Sequence, residues 1–217
     1  MKQILMFLAV TGLLFSCNTT EKHNTSTETT IVKEQVDNIA GKKDRQVLIG
    51  ELERLQKVFS SNDKEKIADV FQFPLSGKTV EIYTEDNTFN AQYEKNDNKL
   101  TRAMFFHFFP QVSESLQMDQ LNQLFKKVNL NELLQRDLVE NEAVVKTEPC
   151  YNFYRVKVEK DLVTLTLGIK SNSNYKSKSV TEGEMPENSS ELCESVLWWV
   201  FQFDGTKLNF KNISGAG

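Results

Sequence analysis

The chain has 217 residues, of which 39% are hydrophobic and 26% charged, and its formal net charge is -4 at pH 7. This size and composition fit one soluble domain together with a tail. A mildly acidic chain without a cluster of lysine and arginine lacks the basic surface that nucleic acid requires, so we expect no nucleic-acid partner.

An apolar segment opens the chain. It follows the positive charge of Lys2, runs from Ile4 to Phe15 and ends at Ser16 and Cys17. The segment is shorter than the roughly 20 residues that a helix needs to cross a bilayer. A charged start, an apolar centre and a small residue before the cut are typical of an export signal. The alternatives are a short transmembrane anchor and a plain signal peptide followed by a fortuitous cysteine.

The residues Leu14, Phe15 and Ser16 before Cys17 resemble the lipobox of bacterial lipoproteins. The resemblance implies removal of residues 1–16, a thioether-linked lipid on Cys17 and acylation of the new amine. Two or more acyl chains, at about 0.8 kcal/mol per buried methylene, anchor a protein stably. We therefore expect a lipoprotein of the bacterial cell envelope, held to the membrane by the lipid on Cys17. The cysteine is not followed by the aspartate that commonly marks inner-membrane retention in such lipoproteins, which favours the outer membrane.

Residues 17–43 are predicted to form a flexible tether. Its part from Asn18 to Thr30 contains no hydrophobic residue, so it cannot offset the roughly 1–2 kcal/mol per residue that ordering the backbone costs. His23 lies in this part and is expected to be solvated rather than a ligand. A spacer of this kind would hold the folded domain, residues 44–217, clear of the lipid headgroups.

The first two thirds of the domain are predicted to be mainly helical. Hydrophobic residues recur at helical spacing in residues 47–59, and Asp63 can cap a second, shorter helix. Further helical patterns run through residues 116–128 and 129–138. Glu140 and Glu142 are interpreted as a solvated helix end.

Between these helices the sequence predicts one strand and two turns. Val80 and Ile82 alternate with polar neighbours, which indicates a strand. The polar residues 86–87 and 95–98 are typical of solvated turns. Residues 101–110 contain four phenylalanines and are too apolar to face water, so we expect them to pack on two faces.

The last third is predicted to form an antiparallel sheet. Hydrophobic and polar residues alternate along two segments separated by a turn at residues 160–161, and Asp204 with Gly205 is a strong hairpin signal before the last strand. Residues 171–190 are polar and predict a long exposed loop. The predicted strands are residues 154–158, 163–169, 196–201 and 208–213.

Helices followed by an antiparallel meander predict an α+β domain, with N-terminal helices packed on a curved antiparallel sheet. The layout resembles the nuclear transport factor two-like cone superfamily. This resemblance rests on a long first helix, a short helix that runs into Phe73, Pro74 and Leu75, and an aromatic strand and turn at residues 198–205 before a final lysine-bearing strand. It implies a cone with a cavity between sheet and helix. Enzymes, transport factors and binding modules all use such a cone, so the fold does not choose a function.

With Cys17 assigned to lipid, Cys150 and Cys193 remain as an even pair in an oxidising compartment. Each precedes a predicted strand, and neighbouring strands can place the two opposite one another. A disulfide between them, contributing on the order of 4 kcal/mol, is our first prediction, and two buried free thiols are the alternative. A nucleophilic cysteine is disfavoured because acidic residues flank both positions.

Few residues can carry catalysis. His23 and His107 are the two histidines of the chain, so a histidine-dependent reaction would use His107 as general base in a dry aromatic setting. A core histidine satisfied by a backbone group is the simpler interpretation. We expect no metal and no cofactor, because multi-histidine sites are excluded and neither a spaced carboxylate set, a phosphate loop nor a nucleophile elbow occurs.

Trp198 and Trp199 are adjacent on a predicted strand and therefore face opposite ways. Either tryptophan, together with His107, is a candidate for lining a pocket, although core packing explains both. The leading hypothesis is a non-catalytic binding or accessory module with a protein partner or a small apolar ligand. The alternatives are a small cone-fold enzyme that uses His107, and a structural subunit of an envelope complex that makes contact through residues 171–190.

Overall fold

The computed structural model describes residues 28–145, 147–173, 175 and 193–217, and their side chains from residue 41 onward except at residue 42. The predicted signal peptide, Cys17, His23 and most of the predicted loop 171–190 lie outside the described residues. The segment Ile39–Gly217 forms one compact unit. Within the described part of the chain, no helix combines the length and the apolar character needed to cross a bilayer.

The domain is an α+β structure, as predicted. Its five-stranded sheet is fully antiparallel, with the strand order β3-β4-β5-β6-β7, and β1 and β2 form a separate two-stranded ribbon. The described α-helices are α1 (Glu28–Ser60), α2 (Lys64–Ala68), α3 (Asn87–Lys95), α4 (Arg102–His107), α5 (Phe109–Ser115) and α6 (Met118–Lys127), with a 3-10 helix at Leu130–Leu134. The strands are β1 (Leu75–Ser76), β2 (Lys99–Leu100), β3 (Leu138–Ala143), β4 (Cys150–Glu159), β5 (Leu162–Ser171), β6 (Ser195–Phe203) and β7 (Leu208–Ala216).

The first helix buries the hydrophobic residues predicted at helical spacing in residues 47–59, but it begins earlier than predicted. Leu48, Leu52, Leu55 and Phe59 are buried in the core, because residues three or four apart share one side of a helix. The helix begins at Glu28 rather than near residue 44, so it includes residues that the composition assigns to the tether. A glycine inside a helix, such as Gly41, costs only about 1 kcal/mol, which is too little to end it.

Two aspartates cap short helices. The Asp63 carboxylate accepts the N–H of Lys66 at 3.2 Å and starts α2, which confirms that prediction. The Asp86 carboxylate accepts the N–H groups of Thr88 and Phe89 at 2.8 and 3.0 Å. The predicted turn at residues 86–87 is therefore wrong, because the same side chain that favours a turn also caps α3.

The predicted strand at Val80 and Ile82 is also wrong. Both side chains are buried, as the alternation requires, but the chain there has no regular secondary structure and belongs to neither sheet. The carbonyl of Thr79 accepts the N–H of Ile213 in β7 at 3.0 Å. This bond fixes residues 77–83, hereafter the rim segment, beside the sheet. The predicted turn at residues 95–98 is confirmed.

The aromatic run forms α4 and α5 and does not pack on two faces. Phe105 and Phe108 are buried, Phe106 and Phe109 are half-buried, and His107 is exposed. The reason is helical spacing, which turns His107 away from the side that its neighbours bury. The prediction of a dry setting for this histidine, or of a core position, is therefore wrong.

Helix α6 confirms the helical pattern predicted for residues 116–128. The second predicted helix, residues 129–138, is confirmed only over its first half. The 3-10 helix ends at Leu134, and the chain then enters the edge strand β3. Glu140 and Glu142 lie on this strand and not at a helix end. The carboxylate of Glu140 pairs with Arg155 of β4, and that of Glu142 accepts from Lys170 of β5 at 3.0 Å. Charge pairs of this kind between strands stabilise the edge strand β3. Its own sequence has no alternation that would predict a strand.

The sheet buries one side, hereafter its inner face, against the helices. Alternation along each strand puts every second residue on that face. The buried inner-face residues that share one core with the helices are Val139, Tyr154, Val156, Val158, Val163, Leu165, Trp199, Phe201, Leu208 and Phe210.

Both predicted hairpins are confirmed. Strands β4 and β5 pair from Glu159 and Leu162 outward. The turn between β6 and β7 is held by Asp204, whose carboxylate accepts the N–H groups of Thr206 and Lys207 at 2.9 and 2.8 Å. The Thr206 hydroxyl also donates to this carboxylate, at 2.8 Å. That bond, followed by the two backbone bonds, holds the pKa of Asp204 well below its usual value.

A bulge interrupts the pairing of β6 with β7. Phe201 lies opposite Phe210, but Val200 lies opposite Asn212, so Lys211 is an extra residue. A one-residue insertion inverts the alternation. As a result Ile213 joins Phe210 on the inner face.

The Cys150–Cys193 disulfide is confirmed, with 5.4 Å between the Cα atoms. The two cysteines do not sit on neighbouring strands. Cys150 begins β4, Cys193 precedes β6, and β5 runs between these strands. The bridge therefore passes the end of β5 and ties two strands that share no hydrogen bonds.

Candidate functional site

The structure does not bring together the three residues proposed as pocket candidates. Trp199 lies on the inner face, 2% exposed, and its Nε1 donates to the carbonyl of Leu116 at 3.1 Å. Trp198 lies on the opposite face and is half-buried. The ring of His107 stands edge-on against Phe108, with 4.5 Å between the centroids. None of the three lines the cleft described next.

A cleft of about 930 Å³ opens on the inner face where the helices do not cover the sheet. Its floor consists of half-buried aliphatic side chains of β5, β6 and β7, namely Leu167, Ile169, Leu197 and Ile213. Its walls are the start of α6 on one side and the rim segment, residues 77–83, on another. The bulge at Lys211 contributes to this floor, because it turns Ile213 inward.

Four neutral carboxamide side chains line this cleft, which we call the amide cleft. They are those of Gln117 just before α6, Gln120 and Gln123 within α6, and Asn152 of β4. Asn212 of β7 also borders the cleft, but it lies opposite Val200, so its side chain is directed to the other face of the sheet. The glutamines are spaced by three and so follow one side of the helix. Each carboxamide offers two N–H donors and an acceptor oxygen, so the wall presents hydrogen-bonding groups of both kinds.

Three hydrogen bonds fix the wall where α5 meets α6. The hydroxyl of Ser115 donates to the carbonyl of Tyr83 at 2.6 Å, and the carbonyl of Leu116 receives the Trp199 indole. Gln117 has a φ of 52°, a left-handed conformation that lets the chain turn sharply into α6. The Nε2 of Gln120 donates to Oε1 of Gln117 at 2.5 Å. The two amides are thus held as a pair.

The charged groups of the cleft lie on the rim segment and balance one another. Lys78 and Glu81 are the cation and the anion among its described lining residues. Tyr83 is 73% exposed at the rim. A hydrogen bond to the Glu81 carboxylate raises the pKa of Tyr83 above its usual value, so the phenol remains a donor at neutral pH.

The cleft offers binding groups from distant parts of the chain. Across the described residues, no group of three or more histidine, cysteine, aspartate or glutamate side chains is arranged to hold a metal ion. The lining provides an aliphatic floor, amide donors and acceptors, the ring of Tyr83, and one charge of each sign from Lys78 and Glu81. Such a surface can bind and orient a polar ligand.

The sequence shows only part of this site. The spacing of the three glutamines is visible, but the same spacing occurs on any solvated helix face. Asn152 and the rim segment carry no local signal at all, because tertiary structure alone brings them to the glutamines.

Comparisons with protein-family models, with curated proteins and with solved structures found no match. The cone resemblance therefore stays a prediction. The function has to be inferred from the residues and geometry of the amide cleft.

Proposed function

We propose that this chain is a lipid-anchored binding module of the bacterial cell envelope, and that the amide cleft is its ligand site. The lipobox resemblance at Cys17 supports the anchor, and the Cys150–Cys193 disulfide suits an oxidising compartment outside the cytoplasm. The observation that carries the binding role is the open cleft of about 930 Å³. Its size lies within the range of about 300–1,000 Å³ that ligand sites occupy.

A binding role is favoured over general-base catalysis by the position of His107. The side chain is exposed on α4 and lies outside the amide cleft, so it lacks the shielding from water that favours a general base and does not reach a ligand in this cleft. The amides that do line the cleft do not titrate in the physiological range. They suit recognition by hydrogen bonds instead.

Replacing Cys17 by alanine is expected to move the protein from the membrane fraction to the soluble fraction, because the acyl chains have no other attachment site in the lipobox. Mass spectrometry of the native protein should show a chain that starts at Cys17 and carries at least two acyl groups. Asn18→Ala is the matched control and should keep the lipid. Recovery of native protein from the cytoplasm with Met1 intact would rule out the anchor.

Replacing Gln123 by tryptophan is expected to abolish ligand binding without unfolding the domain. Gln123 is exposed on α6 and lines the cleft, so an indole there fills the opening. A bound ligand raises the melting temperature by mass action, and this rise should disappear in Gln123→Trp. Lys126→Trp, an exposed position of α6 outside the cleft lining, is the control. An unchanged rise in Gln123→Trp would show that the ligand binds elsewhere.

A further inference from the structure

The lining of the amide cleft is polar but almost free of charge. The lining holds four carboxamide side chains, one lysine and one glutamate, and the two charged residues, Lys78 and Glu81, are both exposed on the rim segment. A ligand with a net charge would therefore find one charge of each sign at the rim, and exposed charges contribute little in water. The cleft matches a ligand without net charge.

The ligand must also be rich in groups that both donate and accept hydrogen bonds. A purely apolar ligand would remove the amides from water without giving them partners, which is unfavourable. Because Gln120 donates to Gln117, the pair still has the amide N–H groups of Gln117 and the oxygen of Gln120 for a ligand. A pair that is already held in place loses less side-chain entropy on binding.

The floor of the cleft suits a ligand with flat aliphatic faces. Leu167, Leu197 and Ile213 are half-buried there, and the exposed ring of Tyr83 at the rim offers a further flat surface. Its hydroxyl donates to the Glu81 carboxylate, so the hydroxyl oxygen can accept a hydrogen bond from a ligand. A sugar ring combines C–H faces with hydroxyls around its edge. Hydroxyls, like amides, are donors and acceptors at once.

A peptide fits this geometry less well than a sugar. Extended peptides are commonly bound by adding a strand to an open sheet edge. The cleft instead presents the faces of β5, β6 and β7. Strands β5 and β6 are paired on both sides, and on the edge strand β7 the N–H of Ile213 already donates to the carbonyl of Thr79 in the rim segment. Recognition there falls to side chains, as hydroxyl-rich ligands require.

We infer that the amide cleft binds a neutral, hydroxyl-rich oligosaccharide of a few sugar units. The inference rests on the proposed binding function and names the ligand class of the same site. The apolar small ligand considered from the sequence is disfavoured by the amide wall.

Isothermal titration calorimetry on the mature, detergent-solubilised protein tests the inference. The probes are neutral oligosaccharides (maltotetraose, cellotetraose and N-acetylated chitotetraose), anionic tetragalacturonate, the apolar alcohol 1-decanol and the uncharged peptide N-acetyl-tetra-alanine amide. We expect saturable binding of at least one neutral oligosaccharide, with an affinity that changes less than twofold between 0.05 and 0.5 M NaCl, about as expected for an uncharged ligand.

Two near-isosteric variants localise that binding. Gln120→Met and Gln123→Met keep the side-chain length but remove the amide, and each should weaken sugar binding about tenfold or more, because a site built to bond a hydroxyl discriminates strongly. Gln92→Met, at an exposed position of α3, is the matched control and should bind normally. Circular dichroism melting curves that coincide with the parent's separate a lost contact from a lost fold.

The possible outcomes separate a failure of the oligosaccharide inference from a failure of the proposed binding function. If only the anionic, apolar or peptide probe binds and Gln123→Trp abolishes that binding, the cleft is a ligand site but the oligosaccharide inference is overturned. If no probe binds, or if sugar binds Gln123→Trp as well as the parent, both the inference and the proposed role of the cleft are overturned.

Discussion

Replacing Trp199 by alanine is expected to lower the free energy of unfolding by about 3–5 kcal/mol, the usual cost of removing a buried large aromatic side chain. Trp199 is 2% exposed among the inner-face residues of the core. Its indole also satisfies the carbonyl of Leu116, the residue before Gln117. The substitution should therefore weaken both the core and the turn that positions the wall of the amide cleft.

Urea unfolding followed by circular dichroism measures this loss, and two variants resolve its parts. Trp198 is half-buried on the opposite face, so Trp198→Ala should lower the free energy of unfolding clearly less than Trp199→Ala. Because both variants replace tryptophan by alanine, the difference reports the burial of the side chain. Trp199→Phe keeps most of the aromatic volume but leaves the Leu116 carbonyl without its donor, so we expect a loss of about 1–3 kcal/mol. Equal losses for Trp198→Ala and Trp199→Ala would contradict the assignment of the two faces.

Removing the disulfide is the second change with a large expected effect. In the chain-entropy description, a bridge between residues 43 positions apart stabilises the folded state by about 4 kcal/mol, because it restricts the unfolded chain. The double variant Cys150→Ala, Cys193→Ala should therefore unfold at lower urea concentration than the oxidised parent.

Treatment of the parent with dithiothreitol provides an independent comparison. The reduced parent and the double variant should have the same urea midpoint, since both lack the cross-link, while the reductant should leave the double variant unchanged. A reduced parent as stable as the oxidised one would show that the bridge contributes nothing to folding.

The hairpins are predictable from the sequence because their signals are local. Alternation marks residues 154–158 of β4 and 163–169 of β5. Asp204 with Gly205 supplies both the side-chain acceptor and the backbone freedom that the last turn needs, since Gly205 has a φ of 94°. The hydrophobic residues of α1 at helical spacing, in residues 47–59, are likewise close together in the sequence. These elements carry the α+β assignment.

Elements with few buried residues are not predictable in the same way. Val139 is the buried hydrophobic residue of β3 and Phe89 that of α3, so neither element has a periodic stripe for the sequence to reveal. Strand β3 exists because β4 offers it a partner, and α3 because Asp86 happens to cap it. The site depends on such long-range contacts throughout, which explains why the sequence indicates aromatic and titratable residues instead of the amides.

The bulge at Lys211 has a consequence for how this domain can vary. Deleting Lys211 would restore a regular strand while leaving Phe210 and Ile213 directed toward the helices, because Asn212 would move into the vacated position. A bulged strand bends and twists more than a regular one, so the shortened edge would run flatter beside the cleft. A single-codon deletion can thus reshape the opening and its ligand preference while the hydrophobic interior keeps its packing.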